Sequence, residues 1–173
     1  MEAGNVNQKE AYKKLTQLYE TEKINSVLIY GEDIKKIILT TFVFALKMSG
    51  KAGILLRVHS YYYAQQLIKK TFEQYSYHYN INLKTPSEVS IFGKNILSHR
   101  WDQYNCLPIS YDVSVYLKIN NSVEHSDGVM FYNLKRALSN DTSQLRILIF
   151  DGSEPPSNLF DIQDRTSTCI QID

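Results

Sequence analysis

The chain has 173 residues, with 19 Lys and Arg against 18 Asp and Glu, four His, two Cys and 43 % hydrophobic residues. That length is one domain's worth and buries a core without disulfides or metal, and 21 % charged residues beside abundant Ile, Leu, Tyr and Phe exclude a disordered chain. A net charge of +1 excludes a strongly basic nucleic-acid coat and an acidic tail.

Cys106 and Cys169 do not make a four-ligand zinc site by themselves, and their sparsity suits a reducing compartment. The longest apolar run, Ile37 to Met48, contains Lys47 and falls short of the roughly 20 residues a membrane span needs. The opening Met-Glu-Ala-Gly-Asn-Val-Asn-Gln lacks the charged and apolar regions of a secretory signal. A soluble intracellular domain is the expectation.

Residues 8–23 place Ala11, Leu15, Leu18 and Tyr19 at helical spacing, with Asn7 as the cap. Ser26-Val-Leu-Ile-Tyr30 is a continuous apolar run, the pattern of a strand covered on both faces. Gly31 breaks it, and Glu32-Asp33 open a helix to about Met48 that is apolar nearly all round and hence deeply packed. Ser49-Gly50 end that helix, with Gly50 as a left-handed cap. A strand over 53–58 and a helix over 61–75 follow, so the first half reads as parallel strands joined by right-handed crossovers. Beyond it, strands are expected at 88–92 and 112–119, a loop from His99 to Pro108, and a short helix late in 129–138. The strand Leu145-Arg-Ile-Leu-Ile-Phe150 ends at Asp151-Gly152, and 168–172 is the last strand. No repeat or linker divides the chain, which reads as one α/β domain with an N-terminal helix (1–24) and a core (25–173).

An apolar strand, a glycine turn and a helix make the place where α/β proteins bind phosphate. A P-loop, G-x-x-x-x-G-K-[ST], needs glycine amides around the phosphates, a Lys reaching them and a hydroxyl on magnesium. Here the run is Gly31-Glu32-Asp33-Ile34-Lys35-Lys36-Ile37-Ile38. Gly31 opens it, but Lys36 stands at the second glycine, Ile37 at the lysine and Ile38 at the hydroxyl position. Glu32 and Asp33 complement the helix dipole themselves and repel a phosphate, so ordinary phosphate binding is not expected.

The order of these pieces resembles the core of the RecA-type recombinases and their eukaryotic paralogues, where a Gly-Glu-x-x-x-Gly-Lys-Thr loop follows the first strand; Gly31-Glu32 stand at its start. The run Gly53 to Leu67 is similar to the family's next strand and helix, with His59 at the position of the catalytic Glu. Leu134-Lys-Arg-Ala-Leu138 and Leu145 to Asp151 are similar to the helix and the Walker B strand, with Asp151 where the family places its magnesium-associated carboxylate. The likeness covers about 26–75 and 129–154. It implies a three-layer RecA-like α/β core with a mainly parallel sheet, in which the missing glycine, lysine and threonine and the His59 replacement leave a scaffold without ATP hydrolysis. What it implies further is a non-catalytic accessory subunit in nuclear homologous recombination and DNA repair, needing no cofactor. Its partners would be another RecA-like paralogue subunit or the recombinase, reaching single-stranded DNA through the complex. Gly152 to Arg165, where the family's DNA-binding loops begin, carries Glu154, Asp161 and Asp164 against Arg165, which argues against direct DNA contact there. Such a core would set the strand ending at Asp151 near the one ending at Gly31, with a turn too crowded for phosphates.

Other constellations stand beside this one. Glu32, Asp33, Asp151 and Glu154 all follow strands at one expected sheet edge, and hard oxygen ligands there suit Mg²⁺ for phosphoryl transfer or nuclease chemistry; the plainer account is a helix cap and a polar loop. His99, Asp102 and Cys106 lie close together, but nothing marks an activated thiol. Basic and aromatic residues interleave along Tyr61, Tyr62, Tyr63, Lys69, Lys70, Tyr77, His78 and Tyr79, and again along Lys94, His99, Arg100, Trp101 and Tyr104. Stacking aromatics beside cations suit single-stranded nucleic acid, exposed tyrosines suit a protein interface, and core packing suits several of them equally. An α/β interaction module of unrelated descent is the remaining alternative.

Overall fold

A computed structural model describes residues 5–21, 25–76, 83, 87–91, 94–101, 110–123, 128–157 and 167–172. In chain order the elements are β1 (Asn5–Val6), α1 (Gln8–Tyr19), β2 (Asn25–Gly31), α2 (Ile34–Met48), β3 (Ile54–Val58), α3 (Tyr61–Gln74), β4 (Ser87–Ile91), β5 (Lys94–Arg100), β6 (Val113–Tyr116), α4 (Asn120–Val123), α5 (Val129–Ser139), β7 (Leu145–Asp151) and β8 (Ser167–Ile172). The strands form one sheet in the order β1-β8-β2-β7-β6-β3-β5-β4. Every pairing is parallel except β4 with β5, at one edge.

Alternation along the strands sends successive side chains to opposite faces, and each face has its own core. Val27, Ile29, Ile54, Leu56, Val115 and Ile147 pack with Ala11 and Leu15 of α1, Phe42 and Phe44 of α2, and Ile68 and Phe72 of α3. Leu28, Tyr30, Tyr116, Leu148 and Phe150 pack on the other side with Phe131, Leu134 and Leu138 of α5. This is an α/β fold of three layers, helices on both faces of a mainly parallel sheet. The all-round apolar pattern of α2 has its cause here: it lies between α1 and α3 and above the sheet. No helix among the described residues is long and apolar enough to cross a membrane.

Asn7 caps α1 as expected, its side chain accepting from Glu10 N at 3.1 Å. Four expectations need correction. The helix opening the chain ends at Tyr19, short of residue 23. Lys94–Arg100 is a strand, although part of it reads as loop: Ser98 and His99 are buried polar residues, which erase the apolar alternation. The strand expected over 112–119 stops at Tyr116 because Lys118 adopts φ 52°, a left-handed turn. Gly50 does not cap α2 in a left-handed conformation; extended Ser49 ends the helix, and the positive-φ glycine of this connection is Gly53, at 79°. The 102–109 part of the expected loop lies outside the described residues.

Candidate functional site

The carboxyl ends of the parallel strands bring together two of the positions that sequence reading singled out, Gly31 and Asp151. β2 and β7 are neighbours, with Gly31 opposite Asp151 in register. Gly152 N donates to Gly31 O at 3.0 Å. Ligands of open α/β sheets bind at this edge, where adjacent strands send their connections to opposite faces.

The turn after β2 is closed from three directions. A Cβ on Gly31 would stand 1.9 Å from the carbonyl oxygen of Ile172, at the end of the neighbouring parallel strand β8, so that strand's backbone abuts Gly31 from the side. Asp33 caps α2, its Oδ1 accepting from Lys35 N at 3.1 Å and Lys36 N at 3.2 Å. These amides are among those a bound phosphate would use. Ile37 and Ile38, standing where a lysine and a hydroxyl would reach the phosphates, are fully buried in the core. Lys36 is half-buried within α2, and Glu32 is exposed and is not the cap.

Asp151 is held by an ion pair. Lys118 Nζ donates to Asp151 Oδ2 at 2.9 Å and to Tyr63 Oη at 3.1 Å. Burial pushes the Lys118 ammonium toward neutrality, but the hydrogen bonds and charge of Asp151 and Tyr63 outweigh it and raise its pKa. Asn120 clamps the backbone of Asp151, donating from Nδ2 to its carbonyl at 2.8 Å and accepting from its amide at 3.0 Å. Among the described residues no three His, Cys, Asp or Glu side chains gather where a metal would sit. Asp33 is committed to helix amides and Asp151 to a lysine. Glu154 is exposed in the loop after β7.

Next to this sealed region the edge opens. A cavity of about 370 Å³ lies between the ends of β3 and β6, lined by Val58, His59, Ser60, Tyr63, Ala64, Leu117 and Lys118. His59 therefore follows β3 at the strand edge, as its place in the sequence implies, and its buried Nδ1 has no hydrogen-bond partner among the described residues. Its ring packs 6.1 Å from Trp101, which stacks at 6.4 Å on Tyr116. Tyr116 is anchored from below: its hydroxyl donates to buried Asp141 Oδ2 at 2.8 Å, and burial, then the Asp141 charge, raise its pKa well above the ordinary tyrosine value.

The candidate nucleic-acid or partner residues separate. Lys69 and Lys70 are exposed on α3, with Lys69 3.8 Å from Glu73. Tyr62 is 77 % exposed and Tyr63 49 %. Lys94 is half-buried and donates to the Ser49 carbonyl, and Arg100 is half-buried at the end of β5. Trp101 is 3 % exposed and lies in the core, which corrects its expected place on a surface: it offers no face to a base or partner. Tyr104, Asp102, Cys106, Tyr77, His78 and Tyr79 lie outside the described residues. Cys169 is half-buried in β8, and burial pushes its thiol pKa up, away from reactivity.

Sequence reading missed Lys118 and Asn120. The signal was present: a lone lysine ends the alternating run Val113, Val115, Leu117 at the carboxyl end of an inner strand. No family model, no curated protein and no solved structure matches this chain.

Proposed function

We propose that this chain is a non-catalytic, RecA-like accessory subunit that works by assembling with other RecA-type subunits in homologous recombination and DNA repair. The observation that carries this reading is the sealed turn after β2. The strand, glycine turn and helix are arranged as for a nucleotide, yet Asp33 occupies the helix amides, the Ile172 backbone abuts Gly31, and Ile37 and Ile38 belong to the core. The strand ending at Asp151 runs directly beside the one ending at Gly31, so the two expected site positions share one sheet edge. The Asp151 carboxylate faces a lysine. A reaction that clamps triphosphate and magnesium needs both positions free. A magnesium-dependent nuclease needs converging carboxylates, and here Asp33 caps a helix, Asp151 pairs with Lys118, and Glu32 and Glu154 are exposed.

The test has two parts. Calorimetric titration of the purified chain with ATP and magnesium gives no heat of binding. Co-expression with RecA-type recombinases and their paralogues gives a stable complex on size exclusion. Nucleotide binding that is lost when the Gly31 turn is altered, or failure to assemble with any RecA-type subunit, overturns the proposal.

A further inference from the structure

We infer that the outer surface of the α1–α2–α3 layer docks the phosphate backbone of double-stranded DNA, without preference for sequence. Such a contact goes beyond the preceding reading, which gives the chain protein partners and no nucleic-acid contact of its own, and it stands on the distribution of charge, not on that reading.

The formal net charge of +1 hides a polarised molecule. The three helices carry eight lysines, two glutamates, no arginine and no aspartate. The rest of the chain carries eleven lysines and arginines against sixteen acidic residues. α2 packs against both α1 and α3 on one face of the sheet, so their outward sides form one surface. Two contacts place lysines at its seams. Lys47 Nζ lies 5.3 Å from the centre of the Tyr12 ring, across α1 and α2, and Lys35 Nζ donates to Gln74 Oε1 at 2.7 Å, across α2 and α3. Lys9, Lys13, Lys47, Lys69 and Lys70 are exposed. Of these five, only Lys69 forms an ion pair among the described residues, with Glu73 at 3.8 Å, so the positive field is not cancelled locally.

What stands between the lysines selects the partner. An anionic bilayer takes up apolar side chains beside the cations, and the one exposed aliphatic side chain of these helices is Val43, at 45 %. A protein interface has an apolar centre and is depleted in lysine. Here the lysines are interspersed with amides, of which Gln17 and Gln74 are exposed. Lysine and glutamine are side chains that donate to phosphate oxygens along a nucleic acid. Without arginine the layer has no forked donor for a guanine edge, which leaves the backbone as the feature that is read. Three helices side by side at about 9 Å make a layer about 20 Å wide, a length over which a duplex presents about a dozen phosphates in a fixed array. A single strand is held by stacking on rings, and three of the layer's five tyrosines, Tyr12, Tyr19 and Tyr61, are packed against the core instead.

The experiment titrates the purified full chain into two labelled duplexes of unrelated sequence and a labelled single strand of equal length, read by fluorescence anisotropy from about 50 to 200 mM salt. Polyglutamate and phosphatidylserine vesicles serve as competitors. The two duplexes bind alike, and their affinity falls with salt at a log–log slope of about −4, close to one phosphate for each exposed lysine. Lys9→Gln with Lys13→Gln, and Lys69→Gln with Lys70→Gln, each flatten that slope by about 2 and weaken binding at least about tenfold at low salt. These are exposed helix positions where glutamine is as good a helix former, so thermal melts stay at the parent value. Lys135→Gln, exposed on α5 across the sheet, changes neither slope nor affinity. No salt-dependent duplex binding, both paired variants binding as the parent does, or tighter binding of the single strand, polyglutamate or vesicles overturns the inference. The titration uses the chain alone, so failure to assemble with a recombinase leaves it standing, and its own failure leaves the assembly proposal standing.

Discussion

α2 and α3 begin in the same way and end in different states. Each follows an inner parallel strand, each starts at the same sheet edge, and both pack on the same face. The start of α2 is closed by its own Asp33 carboxylate and by the β8 backbone. The start of α3 is capped by neutral Ser60, which accepts from Tyr63 N at a long 3.4 Å, has no acidic residue in its first turn, and faces a cavity. The difference teaches that a strand–turn–helix unit is only a frame. Whether it receives a ligand depends on what satisfies the helix amides and what abuts the turn, and here the nucleotide-like turn is the closed one.

That contrast can be broken by substitution, beginning with the closed side. Gly31→Ala drives a Cβ into the Ile172 carbonyl and is expected to cost about 3 kcal/mol in urea unfolding, because backbone, not a flexible side chain, must move. Under the open side, Tyr116→Phe strips a donor from Asp141, itself 7 % exposed, and should cost about 2 kcal/mol at neutral pH. The same variant sharpens a pH effect. The folded-state pKa of Tyr116 is raised, so its stabilisation is full below the unfolded phenol value of about 10 and is lost as pH climbs beyond it. The fall in stability at alkaline pH is therefore shallower in Tyr116→Phe, which thermal melts across pH will read. Asp33→Ala should cost about 1 kcal/mol as a lost helix cap, and calorimetry should still find no nucleotide binding, since Ile37 and Ile38 remain. Lys118→Gly exchanges an ion pair for relief of left-handed strain, and its melting should stay within about 0.5 kcal/mol of the parent.

The closed side was largely legible in the sequence. β2, α2, β3, α3 and β7 announce themselves through continuous apolar runs or helical spacing, and the misfit at Lys36, Ile37 and Ile38 is visible by position alone. The open side was not. Its lining includes Lys118, placed by a left-handed turn that no neighbouring glycine signals, and His59, whose ring packs 6.1 Å from Trp101. β5 was hidden in part because a strand carrying Ser98 and His99 inside shows no hydrophobic alternation. β1 and α4, of two and four residues, are too short to carry any period. Trp101 beside Arg100 looked like a surface pair, but consecutive residues at a strand end point to opposite faces, and Trp101 faces the core.

The position of β2 has a consequence for biosynthesis. Val27 lies in register between Ile147 and Thr168, so both neighbours of this apolar strand are translated long after it. While the ribosome is still making the middle of the chain, Val27 and Ile29 can meet only α1 and α2, and Leu28, which faces the α5 side, has none of its native neighbours. Distant pairings of this kind fold slowly and leave apolar strand edges exposed meanwhile, so the sheet around β2 closes only once the strands around residues 147 and 168 emerge.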